Sequence, residues 1–253
     1  MAISDSKQWL QTSRVKPSKV TDAVNGPGRG SPFGESYVQS LQGSKLHALA
    51  DEGSYFYAQN PTIDAATTLI GHAAPVLADN YTKPLIHIIN DATAAEATRV
   101  YLDFIELQVM AAGTNGTSAN WRAECDTGAT RYSSGTVITL LVKNPNMAVS
   151  TTAKAVAKAG PFVAAAPTAN AREMGHGVLR PVIQVIGDRY LWDFGSSQKT
   201  LVGNVNDGTL ITNVVVPMPP VILGPTDQFL LHLYQPSQTV AAIYKVKVGW
   251  WER

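Results

Sequence analysis

Thr239-Val-Ala-Ala-Ile-Tyr-Lys-Val-Lys-Val-Gly-Trp250 alternates with a period of two. Val240, Ala242, Tyr244, Val246 and Val248 fall on one side, Lys245 and Lys247 on the other. Successive side chains of a strand point to opposite faces, so this run reads as a half-buried β-strand. Residues 99–112 place Val100, Leu102, Phe104 and Glu106 on one side and Tyr101, Asp103, Ile105, Leu107 and Val109 on the other. Their Val, Tyr, Phe and Ile favour strand over helix. Working outward, further strands are predicted at 54–59, 67–77, 84–90, 118–125, 135–143, 178–186, 190–194, 209–216, 221–223 and 228–234. Turn signals separate them, among them Gly113-Thr-Asn-Gly116, Lys143-Asn-Pro-Asn146 and Gly224-Pro-Thr-Asp227. Many short strands at this spacing predict an all-β sandwich or barrel. Residues 153–171 are rich in Ala and interrupted by Pro161 and Pro167, which predicts a long loop between two β halves.

Composition bounds the function. Apolar residues make up 45% of the 253 and charged residues only 15%, which is incompatible with disorder of the whole chain. The net charge of +1 lacks the basic excess of a phosphate-backbone binder and argues against direct nucleic-acid contact. So weakly charged a surface suggests extensive contact with other protein. The one cysteine, Cys125, excludes an intrachain disulfide and reads as a small, half-buried strand residue. Met1 to Leu10 is polar, without the apolar core of a signal peptide, and no run reaches the 18 apolar residues or so of a membrane helix.

The first fifty residues differ in texture from the rest. Lys7, Arg14, Lys16, Lys19 and Arg29 stand against Asp5 and Asp22, and Asn25-Gly-Pro-Gly-Arg-Gly-Ser-Pro32 is too densely punctuated for helix or strand. That run is no phosphate loop, since no strand precedes it and the Lys-Ser/Thr pair is missing. The division predicted is residues 1–50 as an extended N-terminal arm with short helices, around 4–14 and 35–51, and 51–253 as the β-sandwich.

Signals for catalysis are absent from the chain. The five histidines (His47, His72, His87, His176 and His232) show no metal-ligand spacing, and His87 and His232 lie in apolar strands as satisfied or interfacial groups. There is no Gly-x-Ser-x-Gly elbow. Asp188 and Asp193 would stand roughly 16 Å apart along a strand at about 3.3 Å per residue, so Gly187-Asp188-Arg189 reads as a hairpin tip and not as half of a carboxylate pair. Asn80-Tyr-Thr82 and Asn115-Gly-Thr117 fit the glycosylation pattern by chance. No catalytic residue, metal or cofactor is predicted. Trp121, Trp192, Trp250 and Trp251, with Tyr132, Tyr190 and Tyr234, serve packing or, as the alternative, a sugar platform. Trp250 and Trp251 point to opposite faces of the last strand, so one ring is expected to leave the core. The interface candidates are Trp9, Arg14, Lys16, Lys19, Arg29, Trp250 and Trp251.

Thr209-LITNVVVPMPPVILGPTDQFLLHLYQ-Pro236 resembles the closing strands of a viral jelly roll. Tyr101-LDFIELQVMAAGTNGTSANW-Arg122, followed by Arg131-Tyr-Ser-Ser-Gly135 and a strand ending at Asn144-Pro-Asn146, resembles the jelly-roll virion proteins of tailed bacteriophages. The resemblance spans residues 54–253. It implies a jelly-roll-like antiparallel β-sandwich and a virion structural role: a homotrimeric cement or decoration protein, made in the host cytoplasm, that binds coat protein subunits of the same capsid. The alternatives are a major coat subunit of a small virus and a carbohydrate-binding head-fibre or receptor-binding module; an enzyme on a double-stranded β-helix ranks below them. An arm of about thirty residues, reaching up to about 3.3–3.6 Å per residue, would span to a neighbouring subunit.

Overall fold

A computed structural model describes residues 49–61, 70–127, 131–135, 138–148, 151–160, 162–195 and 213–253. In chain order the strands are β1 (Tyr55–Gln59), β2 (Ile70–Gly71), β3 (Ile86–Asn90), β4 (Val100–Ala111), β5 (Ala119–Asp126), β6 (Tyr132–Gly135), β7 (Ile138–Thr139), β8 (Leu141–Lys143), β9 (Ala155–Ala159), β10 (Phe162–Ala164), β11 (Arg172–Arg180), β12 (Arg189–Asp193), β13 (Asn213–Pro217), β14 (Ile222–Leu223), β15 (Gln228–Tyr234) and β16 (Ile243–Glu252). Sheet I runs β13-β12-β4-β16-β1-β8, with β14 beside β4 and β2 beside β16. Sheet II runs β11-β5-β15-β3-β9-β7, and β10-β6 forms a separate ribbon. Every pairing is antiparallel except β12–β13. The chain is thus the all-β sandwich expected. Trp121 of β5 meets Trp192 of β12 edge-on at 6.0 Å, and Phe194 meets Phe229 at 5.4 Å, so the two sheets share one core.

Eight strands build the sandwich: β1, β3, β4, β5, β11, β12, β15 and β16. Counted one to eight, they stand in the order 1-8-3-6 in sheet I and 2-7-4-5 in sheet II. The chain changes sheet at each connection but one. Between β5 and β11, both in sheet II, stand β6 to β10. On the way β9 and β7 lengthen sheet II beside β3, and β8 lengthens sheet I beside β1.

The elements follow the sequence with instructive departures. In β16 Tyr244, Val246, Val248 and Trp250 enter the core as the alternation requires, whereas Val240 precedes the strand and is 56% exposed. In β4 a strict period of two fails. The pairing with β16 steps from Phe104 to Leu102, leaving Asp103 as a bulge. Val100 and Leu102 therefore share the core with Ile105, Leu107 and Val109, and Phe104 and Glu106 turn outward. The strand expected at 178–186 lies instead at Arg172–Arg180. Residues 181–188 form a turn, where Gly187 takes φ +95° and Asp188 accepts from the Val185 amide at 2.8 Å. The expected loop at 153–171 contains β9 and β10, because Ala155, Ala157 and Ala159 fill a shallow inner face while Val156 and Lys158 point away. The expected strand at 135–143 is broken into the end of β6, β7 and β8. Of the strand expected at 67–77 only β2 is seen; 67–69 and 209–212 lie outside the described residues.

Gly249 marks the tightest crossing on sheet I. A Cβ there would come 2.3 Å from Phe104 Cε1 and 2.6 Å from Tyr55 Oη, whose hydroxyl donates to the bulged Asp103 at 2.7 Å. Gly249→Ala is expected to destabilise by about 1–3 kcal/mol, read as a fall in Tm of roughly 2–4 °C per kcal/mol. Phe104→Ala in the same chain should recover part of the loss; an unchanged Tm in the single variant would contradict the crossing.

Candidate functional site

The outer face of sheet II is ionic yet buried. Alternation in β5 sends Trp121 and Ala123 into the core and Arg122, Glu124 and Asp126 to the opposite face. In β15 Gln228 and His232 share that face, and in β3 His87 does. Over them lie Asp79, Asn80 and Tyr81 and, from the segment between β5 and β11, Arg131, Phe162, Ala165 and Thr168. Arg131, only 1% exposed, donates from Nη1 to Glu124 at 2.7 Å and to Asp126 at 3.0 Å. Its remaining guanidinium nitrogens reach the carbonyls of Ala165 at 2.8 Å and Tyr81 at 3.0 Å. Arg122 donates to Asp79 at 3.0 Å and Glu124 at 3.3 Å, with its guanidinium 3.4 Å above the Tyr81 ring. Burial alone would raise the Glu124 carboxyl, but His232, Arg131 and Arg122 together hold it below the usual carboxylate range.

The two strand histidines belong to this layer. His87 Nε2 lies 2.8 Å from Gln228 Oε1, which also accepts from the Arg131 amide, and the Phe162 ring packs beside the imidazole at 5.9 Å. Burial drives the His87 pKa down to about 4, the same value that burial gives His72. His232 Nδ1 lies 3.2 Å from the Asn80 carbonyl and its Nε2 3.4 Å from Glu124. Every charge here has a structural partner, and among the described residues no three His, Cys, Asp or Glu side chains gather as metal ligands. Cys125 sits on β5, where burial pushes its thiol up to about 12, too high for a nucleophile. Asp188 is fully buried, accepting from Arg180 Nη1 at 2.6 Å and Tyr190 Oη at 3.1 Å, an anchor for the turn before β12.

Of the interface candidates, Trp9, Arg14, Lys16, Lys19 and Arg29 lie outside the described residues. Trp250 and Trp251 do take opposite faces of β16. Trp250 is wholly enclosed, stacked on Phe56 at 6.2 Å and donating from Nε1 to Glu252 at 2.9 Å, so within one chain it has no surface to offer. Trp251 leaves the core but lies flat on Tyr101 at 5.4 Å and is 7% exposed. The expected outward ring is therefore largely occupied by its own sheet. Trp121, Trp192 and Tyr190 are core residues as well.

An open concave surface lies on the other sheet. Gln59, Lys247 and Glu106 stand side by side across β1, β16 and β4, and Lys245 stands opposite Gln108 in the adjacent row. With Asn60 and Val246 they line an open groove of about 340 Å³, at the lower end of ligand-pocket volumes. Arg189 of β12 lies 3.6 Å from Glu106 at its margin. The alternation of β16 placed the lysines on this face in advance. Glu106 and Gln108 join them because the bulge at Asp103 shifts the outward row.

Replacing Arg131 by Met would strand Glu124 and Asp126 without their cation, and a loss of about 3–5 kcal/mol in chemical denaturation is expected. Arg189→Ala, at a half-exposed pair, should cost no more than about 1 kcal/mol. Stability should also depend on pH. His72 and His87 bind a proton in the unfolded chain below about 6.5 but resist it in the fold until about 4, so Tm is expected to fall as pH drops through that window. His72→Gln with His87→Gln should flatten the slope; an equally steep double variant would contradict this origin.

Comparison of the chain with known protein families, with curated proteins and with solved structures finds no significant match.

Proposed function

We propose that this chain is a virion structural protein with the jelly-roll winding, a cement or decoration protein of a phage head that stabilises the shell by binding neighbouring coat subunits as a homo-oligomer. The strand order is the observation that supports it. The sequence 1-8-3-6 over 2-7-4-5 is that of two interlocked Greek keys, a winding used by capsid and lectin domains. The excursion between β5 and β11 suits a building block under load. It lengthens both sheets and covers the outer face of one with a buried ionic layer, so that face is held shut. The mechanism is then burial at interfaces between neighbours, with the N-terminal arm as a second point of attachment that raises avidity.

A second reading has its own observation. The groove on sheet I presents amides, a carboxylate and ammonium groups side by side, donors and acceptors such as a saccharide engages, which favours a carbohydrate-binding module. Light scattering on the purified chain separates the readings. A closed trimer is expected for the cement protein. Particles of megadalton mass would make it a coat subunit. A monomer whose tryptophan fluorescence responds to soluble sugars would replace both with the lectin-like reading.

A further inference from the structure

The connection between β15 and β16 packs against the turn that joins β4 to β5. Thr114 N donates to Val240 O at 3.2 Å and Thr117 N to Pro236 O at 3.1 Å, so residues 113–116 lie against residues 235–240. Glycine at both ends of that turn makes room for two glutamine side chains. A Cβ on Gly113 would come 1.7 Å from Gln238 Nε2, and one on Gly116 would come 2.7 Å from Gln235 Oε1. Gln235 and Gln238, 3% and 7% exposed, therefore end under the same four residues. Gln235 is held by its amide nitrogen, which donates to Gln184 Oε1; that oxygen also accepts from Tyr244 Oη at 2.7 Å.

Both glutamines line a small cavity of about 10 Å³, together with His72, Leu233, Ala242 and Tyr244. Three polar atoms of these residues are out of solvent and have no hydrogen-bonding partner among the described residues: Gln235 Oε1, Gln238 Nε2 and His72 Nε2. Buried polar atoms in folded proteins are almost always paired, with protein or with an ordered water. The chemistry of the three narrows the partner. Gln235 Oε1 only accepts and Gln238 Nε2 only donates. Burial keeps His72 neutral, so its Nε2 donates or accepts according to the tautomer. A metal ion or an ammonium could not accept from Gln238, and a halide could not donate to Gln235. Size narrows the partner further. A space of this volume holds about one water, which needs roughly two to four polar partners.

We propose that this cavity is the site of one internal water, which donates to Gln235 Oε1, accepts from Gln238 Nε2 and completes its shell on His72 Nε2. The site stands apart from the proposed function and does not depend on it. Through that water, His72, which follows β2, is joined to the connection between β15 and β16, and through Gln235 to Gln184 and Tyr244. The test is a high-resolution crystal structure of the full chain. The expected result is a single solvent peak at hydrogen-bond distance, about 2.7–3.2 Å, from Gln235 Oε1 and Gln238 Nε2. The same peak should be lost in Gln235→Met with Gln238→Met, which removes both bonds and fills the space. If the double variant does not fold, magnetic relaxation dispersion of the solvent on the wild type gives the second readout, and at least one water that outlasts the tumbling of the protein is expected. Gln235 Oε1 and Gln238 Nε2 bonded to each other or to other protein groups, with no peak between them, would overturn the site. So would a peak with the coordination of an ion, a peak that survives the double variant, or a dispersion that shows no long-lived water.

Discussion

A single guanidinium organises the outer half of this protein. Arg131 lies outside the eight-stranded frame, on the segment that leaves β5 and returns to β11, yet its Nη1 joins Glu124 and Asp126 of β5. A carboxylate pair on the outer face of a sheet would ordinarily face water. Here two carboxylates are covered, and that arrangement is tolerable only while the cation remains. Its other donors close on Ala165 and Tyr81, and Asp126 accepts from Thr168, so the charge that neutralises the sheet also fastens the two segments lying over it. Buried ion pairs add little net stability against an apolar substitute. What this one fixes is where Arg131, Ala165 and Tyr81 lie over β5.

The frame was legible where alternation is regular. β16 shows its inner and outer faces in the order of its residues, and β15 appears at the bounds expected, 228–234. Reading failed where one residue upsets the count. Asp103 looks like any other position in 99–112, and only the partner strand reveals that it is passed over, a shift that moves Glu106 to the outer face. It failed again at 155–159, where Ala is a poor strand former in isolation but is the size that fits the inner face beside β3. The ionic layer was hidden for a different reason. Arg122 and Glu124 alternate with Trp121 and Ala123 as the polar side of a strand does, and nothing local announces that a distant segment covers them.

The tryptophans show the same limit in another form. Sequence parity put Trp250 and Trp251 on opposite faces, and they are. Parity does not say whether an outward ring meets water, a neighbour or its own sheet, and Tyr101 on the adjacent strand takes Trp251. Contact between proteins is better sought on surface that the described residues leave open, such as the groove on sheet I.

The position of β16 has a consequence for biogenesis. It stands in the middle of sheet I, between β1 and β4, with Tyr55 opposite Trp251. The strands that flank it are made long before it, by roughly 7–40 seconds at about 5–20 residues per second. Until it arrives, β1 and β4 each present an open edge, and sheet I is split in two. A nascent chain thus cannot close sheet I until β16 has been made. Loss of that strand would leave β1 and β4 as open, adhesive edges.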